Sequence, residues 1–247
     1  AIPENANAKT SDAERGNSMK EQNYLDHLVG VFGQPVAENP GVVIQDAAFR
    51  ALGLERWRYL TLDVDKDKLG DAIRGLKALK MRGVNCTIPH KIAVMEYLDE
   101  LSESARLIGA VNTIVNDNGR LYGDNTDADG FAAMLSHSGI DPRGKKALVL
   151  GSGGASLAIV YVLKQLGAEQ IVVISRSGEN HYGNLHLHQD AQLIVNTTPV
   201  GMYPDTGVQP VDLRQFPSCE GVLDIIYNPA KTQLLLQAQA LGLPHCD

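Results

Sequence analysis

A glycine-rich run, Gly151-Ser152-Gly153-Gly154-Ala155-Ser156, restricts the fold of this chain more than any other segment. The apolar residues 146–150 before it predict a buried strand, and an apolar helix follows it to Leu166. Glycines at such a turn let the backbone approach a pyrophosphate, whose negative charge is met by the helix N-terminus. Ser156 stands where the third glycine of a GxGxxG pattern would be, which leaves an incidental tight turn open as the alternative. The flanking strand and helix favour a dinucleotide site. The candidate cofactor-binding residues here are Gly151, Ser152, Gly153, Gly154 and Ala155.

The end of the next apolar stretch, 171–174, indicates which dinucleotide would bind. An NAD site usually has Asp or Glu about 20 residues after the glycine loop, where the carboxylate binds the ribose 2′-hydroxyl. This chain has Ser175-Arg176-Ser177 at that place. A guanidinium flanked by hydroxyls suits a 2′-phosphate, so Ser175 and Arg176 predict NADP(H) rather than NAD(H). The missing acid also argues against a methyltransferase.

Predicted strands and helices alternate along the chain, which is typical of an α/β architecture with parallel strands. The predicted strands are 28–33, 57–64, 83–87, 146–150, 171–174, 193–202 with its turn, and 222–227. The predicted helices are 42–52, 69–80, 92–101, 125–138, the one ending at 166, and 231–241. An Asn118-Gly119 turn between β-prone stretches predicts a hairpin. Residues 1–20 are polar, and we interpret them as a flexible tail.

Composition excludes several classes of partner. The formal net charge of −7 argues against nucleic acid or an anionic membrane as the main partner. No apolar run approaches the roughly 20 residues of a membrane span. The chain has three widely separated cysteines, Cys86, Cys219 and Cys246. Their number and spacing fit neither a disulfide framework nor a metal site, which indicates a reducing, cytoplasmic compartment. Three loop histidines without a cysteine or carboxylate partner are interpreted as solvated, so no metal is expected: His181, His186 and His188.

Lys91 is the first candidate for acid–base chemistry. Pro89 follows a strand-like run, and proline is favoured at the first position of a helix, so the pattern predicts that Lys91 lies in a first helical turn. A cation is electrostatically disfavoured at that end of the helix dipole, and a lysine that loses its proton more easily suits proton transfer. A solvated surface lysine is the alternative. Asp127 begins a later predicted helix, where it fits either as a simple N-cap, a role that Thr126 fits equally well, or as a partner in catalysis.

Six motifs, in the same order along the chain, resemble those of the shikimate dehydrogenase family, which includes the quinate/shikimate dehydrogenases, and the resemblance runs from about Gly30 to Cys246. They are Asn85-x-Thr87-Ile88-Pro89-His90-Lys91, Gly109-Ala110-Val111-Asn112-Thr113, Asn125-Thr126-Asp127-x-x-Gly130, Gly151-x-Gly153-Gly154-Ala155, Asn196-x-Thr198-Pro199-x-Gly201-Met202 and Asp224-x-x-Tyr227-Asn228-Pro229. The resemblance implies a substrate-binding catalytic domain at 21–127, a Rossmann-type NADP-binding domain at 128–247, and an active site in the cleft between them.

The activity implied by the resemblance is NADPH-dependent, reversible reduction of 3-dehydroshikimate to shikimate, a step of chorismate and aromatic amino-acid biosynthesis. Lys91 would donate the proton to the ketone oxygen, and Asp127 would orient and tune it. The implied substrate contacts are Asn85, Thr87, Asn112 and Tyr227. Arg176 would bind the 2′-phosphate. The residues expected beside the nicotinamide are Thr198, Pro199 and Met202.

Two departures from the family pattern keep alternatives open. The family usually holds the substrate carboxylate with two serines in its first loop, whereas this chain has Val36-Ala37-Glu38-Asn39-Pro40, and Glu38 would repel a carboxylate. The family's final helix, which carries a substrate-binding glutamine, is absent from the residues up to Asp247. The alternatives are a dehydrogenase for quinate or another cyclic hydroxy acid, and a non-catalytic NADP-binding regulatory homologue. The expected partner is a small-molecule substrate, and the expected assembly is a monomer or homodimer.

Overall fold

The computed structural model describes residues 27–37 and 39–247, so the predicted tail at 1–20 and the interpretation of Glu38 lie outside the described residues. The strands are β1 His27–Gly33, β2 Trp57–Asp63, β3 Gly83–Cys86, β4 Glu100–Leu101, β5 Thr113–Asp117, β6 Arg120–Asp124, β7 Lys146–Leu150, β8 Gln170–Ile174, β9 Leu193–Asn196, β10 Gly221–Asp224 and β11 His245–Cys246. The α-helices are α1 Gly41–Ala51, α2 Leu69–Ala78, α3 Glu103–Ile108, α4 Asp127–Ser138, α5 Gly154–Gln165 and α6 Gln233–Ala240. Short 3₁₀ helices cover Lys66–Lys68, Ala93–Tyr97, Tyr182–His188 and Leu213–Gln215.

The first sheet has six strands in the order β2-β1-β3-β5-β6-β4. Strand β1 pairs in parallel with β2 and β3, whereas β5 is antiparallel to both β3 and β6, so this sheet is mixed. The predicted hairpin forms between β5 and β6. Asn118 and Gly119 both have positive φ, at 52° and 94°, which is the geometry of the two-residue turns that match the twist of the strands.

The second sheet is parallel throughout, in the order β11-β10-β9-β7-β8. Helices α4 and α5 cover one face, where Phe131 and Ile159 pack with Val149 in a continuous buried cluster. Helix α6 covers the other face through Leu234 and Leu235. Helices on both faces of a parallel sheet are the doubly wound arrangement, and the α/β prediction with a Rossmann-type second part is confirmed. The domain boundary at 127/128 stays a prediction.

The predicted helix over residues 92–101 is wrong. The segment forms the 3₁₀ helix Ala93–Tyr97, turns into extended backbone at Leu98, and then forms β4 beside β6. The Asp99 carboxylate accepts a hydrogen bond from the backbone N–H of Leu121, at 2.7 Å, which ties the segment to the sheet. Pairing with a strand distant in sequence therefore overrides the local helical preference. Without that helix, Lys91 does not lie in a first α-helical turn, so the argument that a helix dipole disfavours its charge no longer applies.

Three smaller differences concern the second half of the chain. The stretch predicted as a strand over 222–227 ends at Asp224. The polar connection that follows Ser177 contains the 3₁₀ helix Tyr182–His188, and the chain adds the edge strand β11. None of the helices in the described part of the chain is long and apolar enough to span a bilayer.

Candidate active site

A cavity of about 670 Å³ lies where the carboxyl ends of β7, β8 and β9 face the loop that follows β3. Crevices at the carboxyl ends of parallel strands are the usual binding sites of open α/β sheets. Its lining residues are Ile88, Pro89, Lys91, Ile92, Gly151, Ser152, Gly153, Gly154, Ile174, Ser175, Arg176, Tyr182, Thr197, Thr198, Pro199, Val200, Gln209 and Pro210. Both the predicted lysine and the predicted cofactor loop therefore border one cavity.

The glycine turn is built as a close backbone approach. Gly151 has φ of +109°, its N–H donates to the carbonyl of Ile174 at 2.8 Å, and a Cβ there would lie 2.7 Å from Thr197 Oγ1. Only glycine fits that conformation and that space. Ser156, in the place of the third glycine, is buried and its hydroxyl donates to the carbonyl of Gly153 at 2.6 Å. The serine thus bonds within the first turn of α5.

Lys91 and Asp127 form an ion pair at the edge of this cavity. Lys91 Nζ lies 2.6 Å from Asp127 Oδ2, with side chains that are 14% and 26% exposed. Asp127 is the first residue of α4, where the helix dipole stabilises a carboxylate. Thr126 holds the N-cap position without a capping side-chain bond, and Asn125 Oδ1 instead accepts from the N–H of Asp127, at 3.0 Å. The Asp127 carboxylate is therefore not used as a cap and faces Lys91.

Asn112 holds the other oxygen of Asp127. Its Nδ2 donates to Asp127 Oδ1 at 2.8 Å, and its Oδ1 accepts from the backbone N–H of Thr126 at 3.0 Å. The backbone carbonyl of Asn112 accepts from the N–H of Cys86, at 2.8 Å, so its position is tied to the end of β3. Both oxygens of the carboxylate thus have a donor from the first part of the chain.

Asn85 and Thr87 lie on and just after β3, in the same region as Asn112. Asn85 Oδ1 accepts from the hydroxyl of Tyr59 at 2.8 Å, and its Nδ2 donates to Thr113 Oγ1 at 3.2 Å. Thr87 donates its backbone N–H to the carbonyl of Phe32, at 2.9 Å. Burial raises the pKa of Tyr59 to about 12, so its hydroxyl remains a donor at neutral pH. Sequence reasoning missed Tyr59 because its alternation within β2 looks the same as that of any core tyrosine.

A buried carboxylate supports the opposite wall of the cavity. Asp224, at the end of β10, accepts from Asn196 Nδ2 at 3.0 Å and from the hydroxyl of Thr232 at 2.8 Å. Asn196 Oδ1 in turn accepts from both the N–H and the hydroxyl of Thr198, at 3.0 and 2.7 Å. Desolvation raises the pKa of Asp224. These hydrogen bonds connect the turn that carries Thr198 and Pro199 to the buried Asp224 and so fix its position.

Some predicted residues lie outside the cavity lining. Ala155 belongs to the first turn of α5 behind the glycine loop. Met202 and Tyr227 are 41% and 60% exposed, on two loops joined by a hydrogen bond from the N–H of Tyr203 to the carbonyl of Asn228, at 3.0 Å. The structure adds lining residues that sequence reasoning missed: Ile88, Ile92, Tyr182, Gln209 and Pro210. Tyr182 belongs to the 3₁₀ helix inside the segment that looked like a plain polar connection.

The first loop is anchored at both of its ends. Val36 is buried against Val31 and Tyr59. Asn39 Oδ1 accepts from the N–H of Gly41, at 2.8 Å, at the start of α1. Asn39 therefore has its carbonyl oxygen engaged with the backbone, which leaves its amide nitrogen as the group that can donate to a ligand.

Two of the three loop histidines form hydrogen bonds to their neighbours. His181 Nδ1 accepts from the N–H of Gly183 at 3.1 Å, and His188 Nε2 lies 3.0 Å from Asn180 Oδ1. Within residues 27–37 and 39–247, no group of three or more His, Cys, Asp or Glu side chains is placed to hold a metal ion.

Comparisons with known proteins agree on one family. Residues 31–114 match the family model described as the shikimate dehydrogenase substrate binding domain. The chain is 37% identical over 237 residues to the shikimate dehydrogenase (NADP(+)) of Bacillus mycoides, covering 88% of this chain and 85% of that protein. It is 39% identical over 240 residues to the enzyme of the same name from Symbiobacterium thermophilum, covering 87% and 81%.

Two solved shikimate dehydrogenases and one reductase of a different name are similar to this chain in structure. Shikimate dehydrogenase 1 from Peptoclostridium difficile superposes with a TM-score of 0.84 at 34% identity, covering 90% of this chain and 85% of that one. Shikimate 5-dehydrogenase from Thermus thermophilus, in complex with NADP(H) and shikimate, superposes with a TM-score of 0.77 at 34% identity, covering 89% and 86%. A 5-ketofructose reductase of Gluconobacter is 36% identical, with a TM-score of 0.73 and coverage of 90% and 86%.

Proposed function

Because the chain belongs to the shikimate dehydrogenase family, we propose that it catalyses the NADPH-dependent, reversible reduction of 3-dehydroshikimate to shikimate, as a step of chorismate and aromatic amino-acid biosynthesis. The observation that carries this proposal is the Lys91–Asp127 ion pair at the edge of a cavity that also contains the glycine turn. Reduction of a ketone needs a proton donor and a hydride donor, and an acid–base pair beside a dinucleotide site can provide both. The relatives' activity favours shikimate over quinate and over a non-catalytic homologue.

The residues of the second sheet fit NADP(H). A cavity of about 670 Å³ is within the range of cofactor sites, and the Gly151 turn on its border has a positive φ and a close approach to Thr197 that only glycine allows. Arg176 lines the same cavity and is exposed, so its guanidinium is available to a 2′-phosphate, with Ser175 beside it. The remaining cofactor contacts in the proposal are Ser152, Gly153, Gly154, Ala155, Thr198, Pro199 and Met202.

Lys91 supplies the proton in this mechanism. When bound in this cavity, NADPH would supply the hydride for the carbonyl carbon. As the carbonyl π electrons move to oxygen, the Lys91 ammonium donates a proton to that oxygen and becomes a neutral amine. Asp127 accepts a hydrogen bond from the same nitrogen, which orients it toward the cavity edge before the reaction. In the reverse direction the neutral amine takes the proton from the hydroxyl.

The substrate contacts are proposed on both sides of the ion pair. Asn85, Thr87 and Asn112 offer amides and a hydroxyl to the ring hydroxyls, because a polyhydroxylated ring needs several fixed donors and acceptors. Tyr227 is proposed to contact the substrate from the opposite loop. Partial desolvation raises the pKa of Tyr227, so that hydroxyl stays protonated and able to donate.

Initial rates with two acids and two cofactors test the proposal. We expect the highest kcat/KM for shikimate with NADP+, lower values for quinate, and lower values when NAD+ replaces NADP+. Failure of the full chain to oxidise shikimate with either cofactor would reject the proposed function. A higher kcat/KM for quinate than for shikimate would move the substrate assignment while keeping the reaction class.

We propose a cytoplasmic enzyme that acts on a small molecule, as a monomer or homodimer, without a nucleic-acid or membrane partner. Three unpaired cysteines, two of them buried, support a reducing compartment. The net charge of −7 supports the absence of a nucleic-acid partner.

A further inference from the structure

Thr113 lies between the two asparagines that flank the ion pair. It is the first residue of β5 and stands directly opposite Asn85 in the antiparallel pairing with β3. Its Oγ1 is 3.2 Å from Asn85 Nδ2 and 2.9 Å from Asn112 Oδ1. A single hydroxyl therefore touches both side-chain amides, although Thr113 does not line the cavity.

The direction of these hydrogen bonds follows from the two groups that contact the Asn112 side chain on its other sides, the Thr126 N–H and the Asp127 carboxylate. The N–H of Thr126 can only donate, and it lies 3.0 Å from Asn112 Oδ1, so the atom at that position is the oxygen. The other end of the amide is then the nitrogen, which faces the acceptor-only carboxylate of Asp127 at 2.8 Å. These two groups independently fix which end of the Asn112 amide is oxygen and which is nitrogen, a choice that the shape of an amide alone does not decide.

The orientation of Asn112 determines which atoms donate and which accept in its neighbours Thr113 and Asn85. Because Asn112 Oδ1 accepts, the Thr113 hydroxyl gives its one proton to it and has only lone pairs left for Asn85. Asn85 therefore presents Nδ2 to Thr113. Its Oδ1 then accepts from the hydroxyl of Tyr59, at 2.8 Å.

We propose that Thr113 is a positioning residue whose hydroxyl, itself oriented by Asn112, sets the orientation of the Asn85 side-chain amide. The hydrogen-bond order stands on geometry alone, and its effect on turnover rests on the proposed function. Without the hydroxyl, Asn112 keeps its bonds to Thr126 and Asp127, whereas Asn85 Nδ2 retains only the distant carbonyl of Asn112, at 3.4 Å. The Asn85 amide can then rotate, which misaligns a proposed substrate contact.

Two substitutions at this position form a matched pair. Thr113→Val keeps the shape and removes the hydroxyl, and it is expected to lower kcat/KM for shikimate by about 10- to 100-fold, the range for partly buried polar groups left unpaired. Thr113→Ser keeps the hydroxyl and is expected to stay within about threefold of the wild type. Binding of NADP+, measured by titration, is expected to change by less than about twofold in both. Equal kcat/KM for Thr113→Val and wild type overturns the inference, as does equal impairment of both variants.

A substrate-free measurement separates this inference from the proposed function. We expect solvent exchange of the Asn85 side-chain amide protons, followed by NMR, to be about tenfold faster or more in Thr113→Val than in wild type and unchanged in Thr113→Ser. Unchanged exchange in Thr113→Val rejects the inference. If wild type fails to oxidise shikimate but the exchange result holds, the proposed function fails and the hydrogen-bond order stands.

Discussion

The stem of Lys91 occupies the space that a side chain on Gly154 would need, because a Cβ added to Gly154 would lie 2.8 Å from Lys91 Cβ. The loop after β3 and the first residue of α5 therefore meet at this point. The last glycine of the turn permits this contact in addition to its proposed role at the cofactor. The proposed proton donor is held against the proposed cofactor loop by direct packing.

We predict that Gly154→Ala lowers kcat/KM for shikimate by about tenfold or more. The blocking atom is the Cβ of Lys91, which is fixed to the backbone and cannot swing aside as the end of a flexible side chain can. The control is Gly130→Ala in α4, where an added Cβ meets nothing within 4 Å. Gly130→Ala is expected to keep the wild-type kcat/KM, and an equal loss in both variants would contradict this account.

Lys91→Met is predicted to lower kcat by about 10²- to 10⁴-fold, the usual contribution of a positioned general acid. The matched control is Lys146→Met. Lys146 also pairs with a carboxylate, Asp190 at 2.5 Å, and its side chain is similarly buried, but it lies outside the cavity lining. Steady-state rates and thermal midpoints are measured for both. Loss of stability that accounts for the loss of rate in Lys91→Met would instead indicate a structural lysine.

Arg176→Ala is predicted to weaken NADP+ binding by about 10- to 100-fold and to leave NAD+ binding nearly unchanged. A charge-assisted bond to phosphate contributes roughly 1.5–3 kcal/mol, and NAD+ has no 2′-phosphate to lose. Arg143→Ala serves as the control, since Arg143 is an exposed arginine that pairs with Asp141. Fluorescence titration with both cofactors gives the dissociation constants. Equal weakening for NAD+ and NADP+ would remove Arg176 from the 2′-phosphate site.

Asp224→Asn is predicted to remove a pH-dependent component of stability. Burial raises the pKa of Asp224 above its ordinary value of 3.8, so over the window just above 3.8 the folded carboxyl keeps a proton that the unfolded one has lost. The unfolded state then binds fewer protons, and the free energy of unfolding falls as pH rises through that window and levels off above the folded pKa. Denaturant unfolding at several pH values measures this. Parallel pH profiles for wild type and variant would contradict the assignment.

The parts of the structure that local chemistry decides were predictable from the sequence. The Asn118-Gly119 turn forms because two successive residues with positive φ need these residue types. The Gly151 turn forms where a buried strand meets a helix, and the NADP(H) prediction from Arg176 agrees with the relatives' cofactor. Each of these signals depends on residues that are close together in the sequence, so it can be recognised without knowledge of the tertiary fold.

The parts decided by distant pairing were not predictable. Residues 92–101 carry helix-compatible side chains, yet Glu100 and Leu101 pair with β6, which the local pattern does not encode. Tyr59 and Thr113 reach Asn85 only through the register of β2, β1, β3 and β5. A one-residue slip in either pairing would turn those side chains to the opposite face, so their contacts follow from the assembled sheet.

The rate of 3-dehydroshikimate reduction by wild-type protein, with NADPH and with NADH, tests the central claim most directly. We predict ready turnover with NADPH, a clearly lower kcat/KM with NADH, and a loss of turnover in Lys91→Met while NADPH still binds. Absence of 3-dehydroshikimate reduction with both cofactors, in a protein that binds NADPH, would contradict the account.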